Sequence, residues 1–123
     1  MKKFFLSLLV IVCLSSPAFA ASWYYVGRAT PSNTLFYIDN ASVYKNTNAA
    51  IIWIKRVMPD GSHGIAREYF THTPPTATLL SIIDYAPNGT VIRSVEFPAN
   101  RRRTMSIPPD TILDDIWHLI WSY

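Results

Sequence analysis

The sequence has little cysteine and little glycine, and each shortage excludes a class of protein. Its single cysteine, Cys13, lies in an apolar N-terminal segment, so residues 21–123 contain none. A small domain held together by disulfides or by a cysteine-bound metal is therefore not expected there. With only four glycines, the chain also has no Gly-rich loop of the kind that cradles phosphates.

Residue types that carry catalysis are present but not in catalytic patterns. His63, His72 and His118 share no metal-ligand spacing, and no G-x-S-x-G nucleophile motif occurs. Asp114 and Asp115 are neighbours on a predicted helix, about 100° apart around its axis, so they cannot face each other as an acid/base pair. We therefore expect a non-enzymatic protein with no cofactor and no metal.

The first twenty residues have the pattern of a secretory signal peptide. Lys2 and Lys3 precede an apolar run at residues 4–14, and residues 18–20 form an A-x-A cleavage site. That run is shorter than the roughly 20 residues that a membrane-spanning helix needs. We expect cleavage after Ala20, export to the periplasm or the cell surface, no transmembrane segment in the mature chain, and one domain over residues 21–123.

The net charge is low once the signal peptide is left out of the count. Without Lys2 and Lys3, nine basic residues face eight acidic ones, which gives no electrostatic reason to expect nucleic acid as a partner. Arg101, Arg102 and Arg103 are the local exception. Guanidinium groups pair bidentately with sulfate, phosphate and carboxylate, so this triplet is a candidate site for acidic glycans or acidic protein surfaces. The alternative is a solvated loop.

Six segments rich in β-branched and aromatic residues predict antiparallel strands, at residues 23–28, 34–39, 49–58, 65–72, 77–85 and 90–97. Pro87-Asn88-Gly89 offers an Asn-Gly pair for a tight hairpin turn. Over residues 110–122 the apolar spacing becomes helical, with Pro108-Pro109 marking the start of the helix. The predicted fold is α+β: a six-stranded antiparallel meander sheet with one C-terminal helix packed on a face.

Aromatic residues are dense for so short a chain, and the strand period distributes them over both faces. Consecutive aromatics at positions 23–25 and 36–37 must point to opposite sides of the sheet. We expect the uncovered face to bind a partner, or a second copy of the chain, through Trp23, Tyr25, Tyr37 and Trp53. The alternative is a core with scattered exposed rings. Charged strand residues are expected on the wet side of the sheet, in cross-strand pairs: Arg56, Arg67, Glu68, Arg93 and Glu96.

An ordered set of short motifs runs through residues 21–123. It comprises Trp23, Y-I-D-N-A-S at 37–42, I-W-I-K at 52–55, D-Y-A-P-N-G-T-V-I-R-S at 84–94 and I-P-P-D-T-I-L-D-D-I-W at 107–117. In this order the motifs resemble the surface-adhesin protein E family of exported Gram-negative proteins. The resemblance implies a small antiparallel sheet carrying a terminal helix, and binding of host extracellular-matrix proteins at the cell surface.

The sequence departs from that family in two respects. Its signal peptide resembles that of a soluble periplasmic protein rather than that of a lipid-anchored surface protein, and it lacks a disulfide. Many members look as though they tie the helix to the sheet with a disulfide between a mid-chain strand and the C-terminus. Here those regions read Y-F-T-H at 69–72 and W-S-Y at 121–123, so we expect aromatic packing to replace the tether.

The expected function is that of an exported envelope protein without enzymatic activity. It would be an adhesin or binding module for host matrix proteins, acidic glycans or other macromolecules. The alternative is a periplasmic binding or structural module for a small amphipathic ligand or an envelope partner.

Overall fold

The structure is a computed structural model that describes residues 22–122, so the predicted signal peptide lies outside the described residues. Within these residues, eight strands precede one helix. They are β1 (Trp23–Ala29), β2 (Thr34–Asp39), β3 (Tyr44–Lys45), β4 (Ala49–Val57), β5 (His63–Thr71), β6 (Thr76–Tyr85), β7 (Val91–Glu96) and β8 (Thr104–Ser106), and the helix α1 spans Ile112–Ile120. A single 3₁₀ turn, Ala99–Arg101, lies between β7 and β8.

All strand pairs are antiparallel, and the main path through the sheet is β1-β2-β4-β5-β6-β7. The prediction of an antiparallel sheet with a C-terminal helix is confirmed, and the six predicted strands correspond to those on the main path. The two additional strands are short. β3 continues the line of β2 along β4, and β8 continues the line of β7 along β6. Strands of two and three residues are too short for an alternation pattern to reveal.

The core lies between α1 and one face of the sheet. Along β4, Ala50, Ile52 and Ile54 are buried, whereas the residues between them are only partly buried, as the two-residue period requires. The helix contributes Ile116 and Ile120, four residues apart on its apolar side. The cluster is completed by Ile38, Phe70 and Ala77. The sheet therefore has a helix side and an opposite side that α1 does not cover, called here the open face.

Helix α1 begins two residues later than predicted. Asp110 has a left-handed backbone (φ 61°) and so lies outside the helix. Thr111 is the N-cap, and its hydroxyl accepts a hydrogen bond from the Asp114 backbone N–H at 3.2 Å. Pro108-Pro109 thus precede a connecting turn, and the start at residue 110 is wrong. Asp114 and Asp115 do occupy the first turn, where carboxylates favour the helix dipole.

The loop between β6 and β7 is a tight hairpin turn, as Pro87-Asn88-Gly89 predicts. The Ala86 N–H donates to the Thr90 carbonyl at 2.8 Å, and the Gly89 N–H donates to the Ala86 carbonyl at 2.9 Å. Gly89 has φ 91° and takes the left-handed position. This is the hydrogen bonding of a three-residue loop that ends in a left-handed glycine, which also suits a proline at its first position.

Aromatic contacts fasten the C-terminal end of α1 to the sheet. The His72 ring, which follows β5, stacks on Trp121 with centroids 4.6 Å apart and planes 5° apart. The Trp117 Nε1–H donates to the Thr71 carbonyl, and the Trp121 Nε1–H donates to the Asn46 carbonyl, both at 3.1 Å. The aromatic contact expected in place of a disulfide is therefore present, between residues 71–72 and the end of the helix.

The Y-I-D-N-A-S motif has a structural role centred on Asp39. One carboxylate oxygen accepts hydrogen bonds from the backbone N–H groups of Ser22 and Ala41 at 2.9 and 3.0 Å, and the other accepts from the Ser42 hydroxyl at 2.6 Å. Burial would raise the pKa of Asp39, but these hydrogen bonds outweigh it and hold the pKa below the ordinary 3.8. Asp39 thus joins the start of β1 to the turn after β2.

Candidate functional site

Six aromatic side chains lie on the open face along β1 to β5, and a seventh, Tyr85 of β6, lies beyond them opposite His63. The strand registers show why. Tyr25 is opposite Tyr37 in the β1–β2 pair, and Ile51 of β4 is opposite both Tyr44 and Tyr69. Trp53 is two residues beyond Ile51 and therefore points the same way. The six are Trp23, Tyr25, Tyr37, Tyr44, Trp53 and Tyr69. This set includes all four aromatic residues that the sequence predicts for partner binding.

Three of the six rings are strongly exposed. Relative exposure is 48% for Tyr25, 70% for Tyr44 and 36% for Tyr69, whereas Trp23, Tyr37 and Trp53 are half-buried between their neighbours. The sequence does not predict Tyr44, because β3 is too short to show which way its side chains point. Tyr69 is not among the four residues predicted to bind a partner, because alternation in β5 does not by itself show whether Tyr69 or Phe70 faces the core.

Two cations lie over the aromatic rings of the open face. Lys55 Nζ is 5.5 Å from the centroid of a Trp23 ring, and Arg67 Cζ is 5.9 Å from that of Trp53. Both distances are within the roughly 6 Å range of cation–π attraction. Arg67 also pairs with Glu96 at 3.1 Å, across from β5 to β7. The open face therefore combines aromatic rings with an arginine, residue types that are enriched at protein interfaces.

The arginine triplet lies at the other end of the sheet. Arg101, Arg102 and Arg103 are exposed, and Arg102 Nε donates to the Phe97 carbonyl at 2.9 Å. They precede β8, which pairs with β6, whereas the aromatic cluster is centred on β1, β2 and β4. The registers place Tyr69 opposite Thr78, and Thr78 opposite Thr104, the residue after the triplet, so two strand spacings of roughly 4.8 Å separate Tyr69 from Thr104. Arg101 and Arg103 line a pocket with Leu79 and Phe97, so the triplet lies beyond the Tyr69 edge of the aromatic cluster rather than within it.

A cavity of about 320 Å³ lies between the first half of α1 and the sheet. Its walls are mainly apolar, with Phe36, Ile54 and Ala66 on the sheet side and Leu113 above them. Glu68 also lines it, although the sequence places Glu68 on the wet side of the sheet. That prediction is wrong because Arg67 and Glu68 are consecutive in β5, so only one of them can face the open side.

Glu68 is an unusual member of this cavity because nothing compensates its charge. Burial raises the pKa of its carboxyl above the ordinary 4.5, and in residues 22–122 it has no hydrogen-bond or ion-pair partner. An ionised carboxylate without a partner is costly in an apolar site. This environment could not be predicted from the sequence, because the position of a single glutamate relative to α1 depends on tertiary packing.

Arg56 borders the same cavity but is already paired, and it too lies on the helix side. Its guanidinium contacts Asp84 at 2.8 Å, and Arg93 contacts the second oxygen of Asp84 at 2.9 Å. Gly64 lies between Arg56 and Asp84 in the register. A Cβ at Gly64 would come within 2.6 Å of Asp84 Oδ1, so the ion pair occupies the space that a side chain would need.

The histidines occupy separate places. His63 stacks on Tyr85 with centroids 4.8 Å apart, His72 lies against Trp121, and His118 is 3.3 Å from Asp114. Within residues 22–122, no group of three or more His, Cys, Asp or Glu side chains is placed to hold a metal ion. In the same part of the chain, no helix has the length and hydropathy needed to span a membrane.

Comparison of the chain with models of known families, with curated proteins and with solved structures finds no match. Membership of the surface-adhesin protein E family therefore stays a prediction that rests on the ordered motifs. The functional argument accordingly rests on the open face, the arginine triplet and the cavity beneath α1.

Proposed function

We propose that this protein is an exported, non-enzymatic envelope protein of the surface-adhesin protein E type that binds host matrix proteins through its open face. The observation that carries the proposal is the gathering of six aromatic side chains on the face that α1 leaves uncovered. Tyr and Trp rings offer large contact areas with few rotatable bonds, and they dominate the energetic centres of protein interfaces.

The chemistry of the face favours a protein partner that presents acidic side chains. Lys55 and Arg67 are held over tryptophan rings, which fixes their positions before a partner arrives. Preorganised cations lose less conformational freedom on binding and select for complementary charge. Tyr25 and Tyr44 extend beyond these cations as exposed anchors.

Two consecutive tyrosines give a matched test of this proposal. Tyr25 and Tyr24 are similarly exposed, at 48% and 50%, but Tyr24 points to the helix side of the sheet. Tyr25→Ser should weaken binding to immobilised extracellular-matrix proteins by about fivefold or more, as expected for an interface anchor. Tyr24→Ser should leave binding unchanged. Equal effects of the two substitutions would contradict a role for the open face.

We assign the arginine triplet a separate, steering role toward acidic partners. Replacing Arg101, Arg102 and Arg103 together with glutamine should abolish retention on heparin at low salt, because long-range attraction depends on their charge. Replacement with lysine should retain most of it. Retention unchanged by the glutamine variant would show that the triplet is only a solvated loop.

A second candidate function is binding of a small amphipathic ligand in the periplasm. The cavity beneath α1 favours it, because its volume of about 320 Å³ is within the range of small-molecule sites and its apolar walls surround a single unpaired carboxyl.

A further inference from the structure

We infer that the cavity beneath α1 binds a small amphipathic amine, with the ammonium group against Glu68 and the apolar body between Ile54, Ala66 and Leu113. The inference rests on the second candidate function and specifies its ligand. It is independent of the open face, which lies on the opposite side of the sheet.

The first step is that the Glu68 carboxyl has no hydrogen-bond or ion-pair partner in residues 22–122. Buried carboxylates are normally paired or hydrogen-bonded, as Asp39 and Asp84 are here. Glu68 is the exception among the partly buried carboxyls of the sheet, and nothing in residues 22–122 neutralises it. A ligand with an ammonium group would supply the missing charge and up to three hydrogen-bond donors.

The second step is the geometry of the charges around Glu68. The β4–β5 register places Ile52 opposite Glu68, Ile54 opposite Ala66, and Arg56 opposite Gly64. Arg56 is therefore about 13 Å along the sheet from Glu68, at roughly 3.3 Å per residue, and it is engaged by Asp84. From α1, only Thr111 and three apolar side chains line the cavity. Among the described residues that line the cavity, Arg56 is thus the one cation, and it is engaged at the end away from Glu68.

The third step is the shape of the remaining space. Ile54 and Ala66 form an apolar floor between the Glu68 end and the Arg56 end, and Leu113 lies above it. A volume of about 320 Å³ corresponds to about ten ordinary water volumes of roughly 30 Å³. Amines with an unbranched or cyclic body of about six carbons fit this space.

The proposal is tested by calorimetric titration of the purified protein at pH 7.5 with three probes: n-hexylamine, n-hexanol and hexanoate. Hexylamine should bind about tenfold or more tightly than hexanol, because only the amine forms a charge-assisted hydrogen bond with Glu68. Hexanoate should bind most weakly. Glu68→Gln should lower the affinity for hexylamine to that for hexanol, whereas Glu96→Gln, the same change on the open face, should leave it unchanged.

A second variant separates shape from charge. Ala66→Leu adds bulk to the cavity floor and should abolish binding of both hexylamine and hexanol while leaving Glu68 in place. If hexanol binds as well as hexylamine, or if Glu68→Gln keeps the preference for the amine, the amine assignment is overturned and the ligand-binding cavity stands. If no probe binds the unmodified protein at millimolar concentration, the cavity function and the amine assignment both fail.

Discussion

Asp39 and Glu68 show how the same functional group behaves in two environments of one small sheet. Asp39 is almost fully buried, yet hydrogen bonds from Ser22, Ala41 and Ser42 stabilise its ionised form and lower its pKa. Glu68 has no such donors, so burial alone acts on it and raises its pKa. The two carboxyls therefore make opposite contributions to the pH dependence of stability.

Glu68→Gln should raise the free energy of unfolding at neutral pH by about 1 kcal/mol, the lower end of the roughly 1–3 kcal/mol cost of an unsatisfied buried polar group. Above its raised pKa, Glu68 is ionised in both states and the folded chain carries the full desolvation cost. As the pH falls from that pKa to 4.5, the folded state binds the proton first, so stability rises.

Urea denaturation at pH 7.5 and at pH 4.5 measures this effect. The gain from Glu68→Gln should be present at the higher pH and should shrink at the lower one. Glu96→Gln is the control, because Glu96 is exposed and paired only with Arg67. A loss of stability in the Glu68 variant at neutral pH would show that the carboxylate has a stabilising partner.

Asp39→Asn should lower the free energy of unfolding by about 2 kcal/mol at pH 7. Two backbone N–H groups and one hydroxyl now donate to the two carboxylate oxygens of Asp39, whereas an amide would offer them a single acceptor oxygen. The contribution of the ionised Asp39 is fully present above pH 3.8 and is lost as the pH falls through its lower folded pKa. Thermal unfolding should therefore show a smaller difference from the unmodified protein at pH 2.5 than at pH 7.

At the scale of elements, α1 is held at its two ends by different kinds of contact. Thr111 caps its N-terminus, and the stack of His72 on Trp121 fixes its C-terminal end. Between them, Ile116 and Ile120 are buried in the core. A helix of nine residues is too short to be stable alone, so these contacts determine whether it forms.

Trp121→Ala should lower the free energy of unfolding by about 2 kcal/mol, less than the roughly 3–5 kcal/mol for a fully buried aromatic residue, because Trp121 is only partly buried. It removes both the stack on His72 and the hydrogen bond to the Asn46 carbonyl. Urea denaturation measures the change, with Ser122→Ala as the neighbouring control. No difference between the two variants would mean that the stack does not fasten the helix.

Sequence patterns predict the long elements of this fold well and the short ones poorly. The alternation in β4 and the helical spacing of Ile112, Ile116 and Ile120 reflect burial against a common core. β3 and β8 are defined by the neighbour they pair with, and the start of α1 by the left-handed backbone of Asp110. Such features depend on tertiary contacts that no local period encodes.

At the scale of the whole molecule, the sheet separates two surfaces with different chemistry. Strand alternation was sufficient to group Trp23, Tyr25, Tyr37 and Trp53 on one face of the sheet, and the registers place them together. The cavity could not be predicted, because its existence depends on where α1 crosses the sheet. The distance between that face and the arginine triplet likewise depends on strand order.

Self-association is a second use that the open face allows, and it stays a prediction. A homodimer formed through this face would bury Tyr25 and Tyr44, so Tyr44→Ser should shift it toward monomer. Sedimentation velocity over a wide concentration range measures this. A strict monomer at the highest concentration would remove the dimer without affecting the proposal for matrix proteins.

Location decides whether a host partner is accessible. Binding to matrix proteins requires a chain at the cell surface, so protease treatment of intact cells should cleave it, and mass spectrometry of the chain should show a start at Ala21. A chain protected until the cells are lysed would exclude adhesion and leave the periplasmic partners.

The measurement that tests the central claim most directly uses the four tryptophans as position markers. Trp23 and Trp53 lie on the open face, and Trp117 and Trp121 lie on the helix. A ¹H–¹⁵N spectrum resolves one indole N–H signal from each, and titration with a soluble matrix-protein fragment follows all four together. The account predicts that the signals of Trp23 and Trp53 shift while those of Trp117 and Trp121 stay in place. Shifts confined to Trp117 and Trp121 would contradict it.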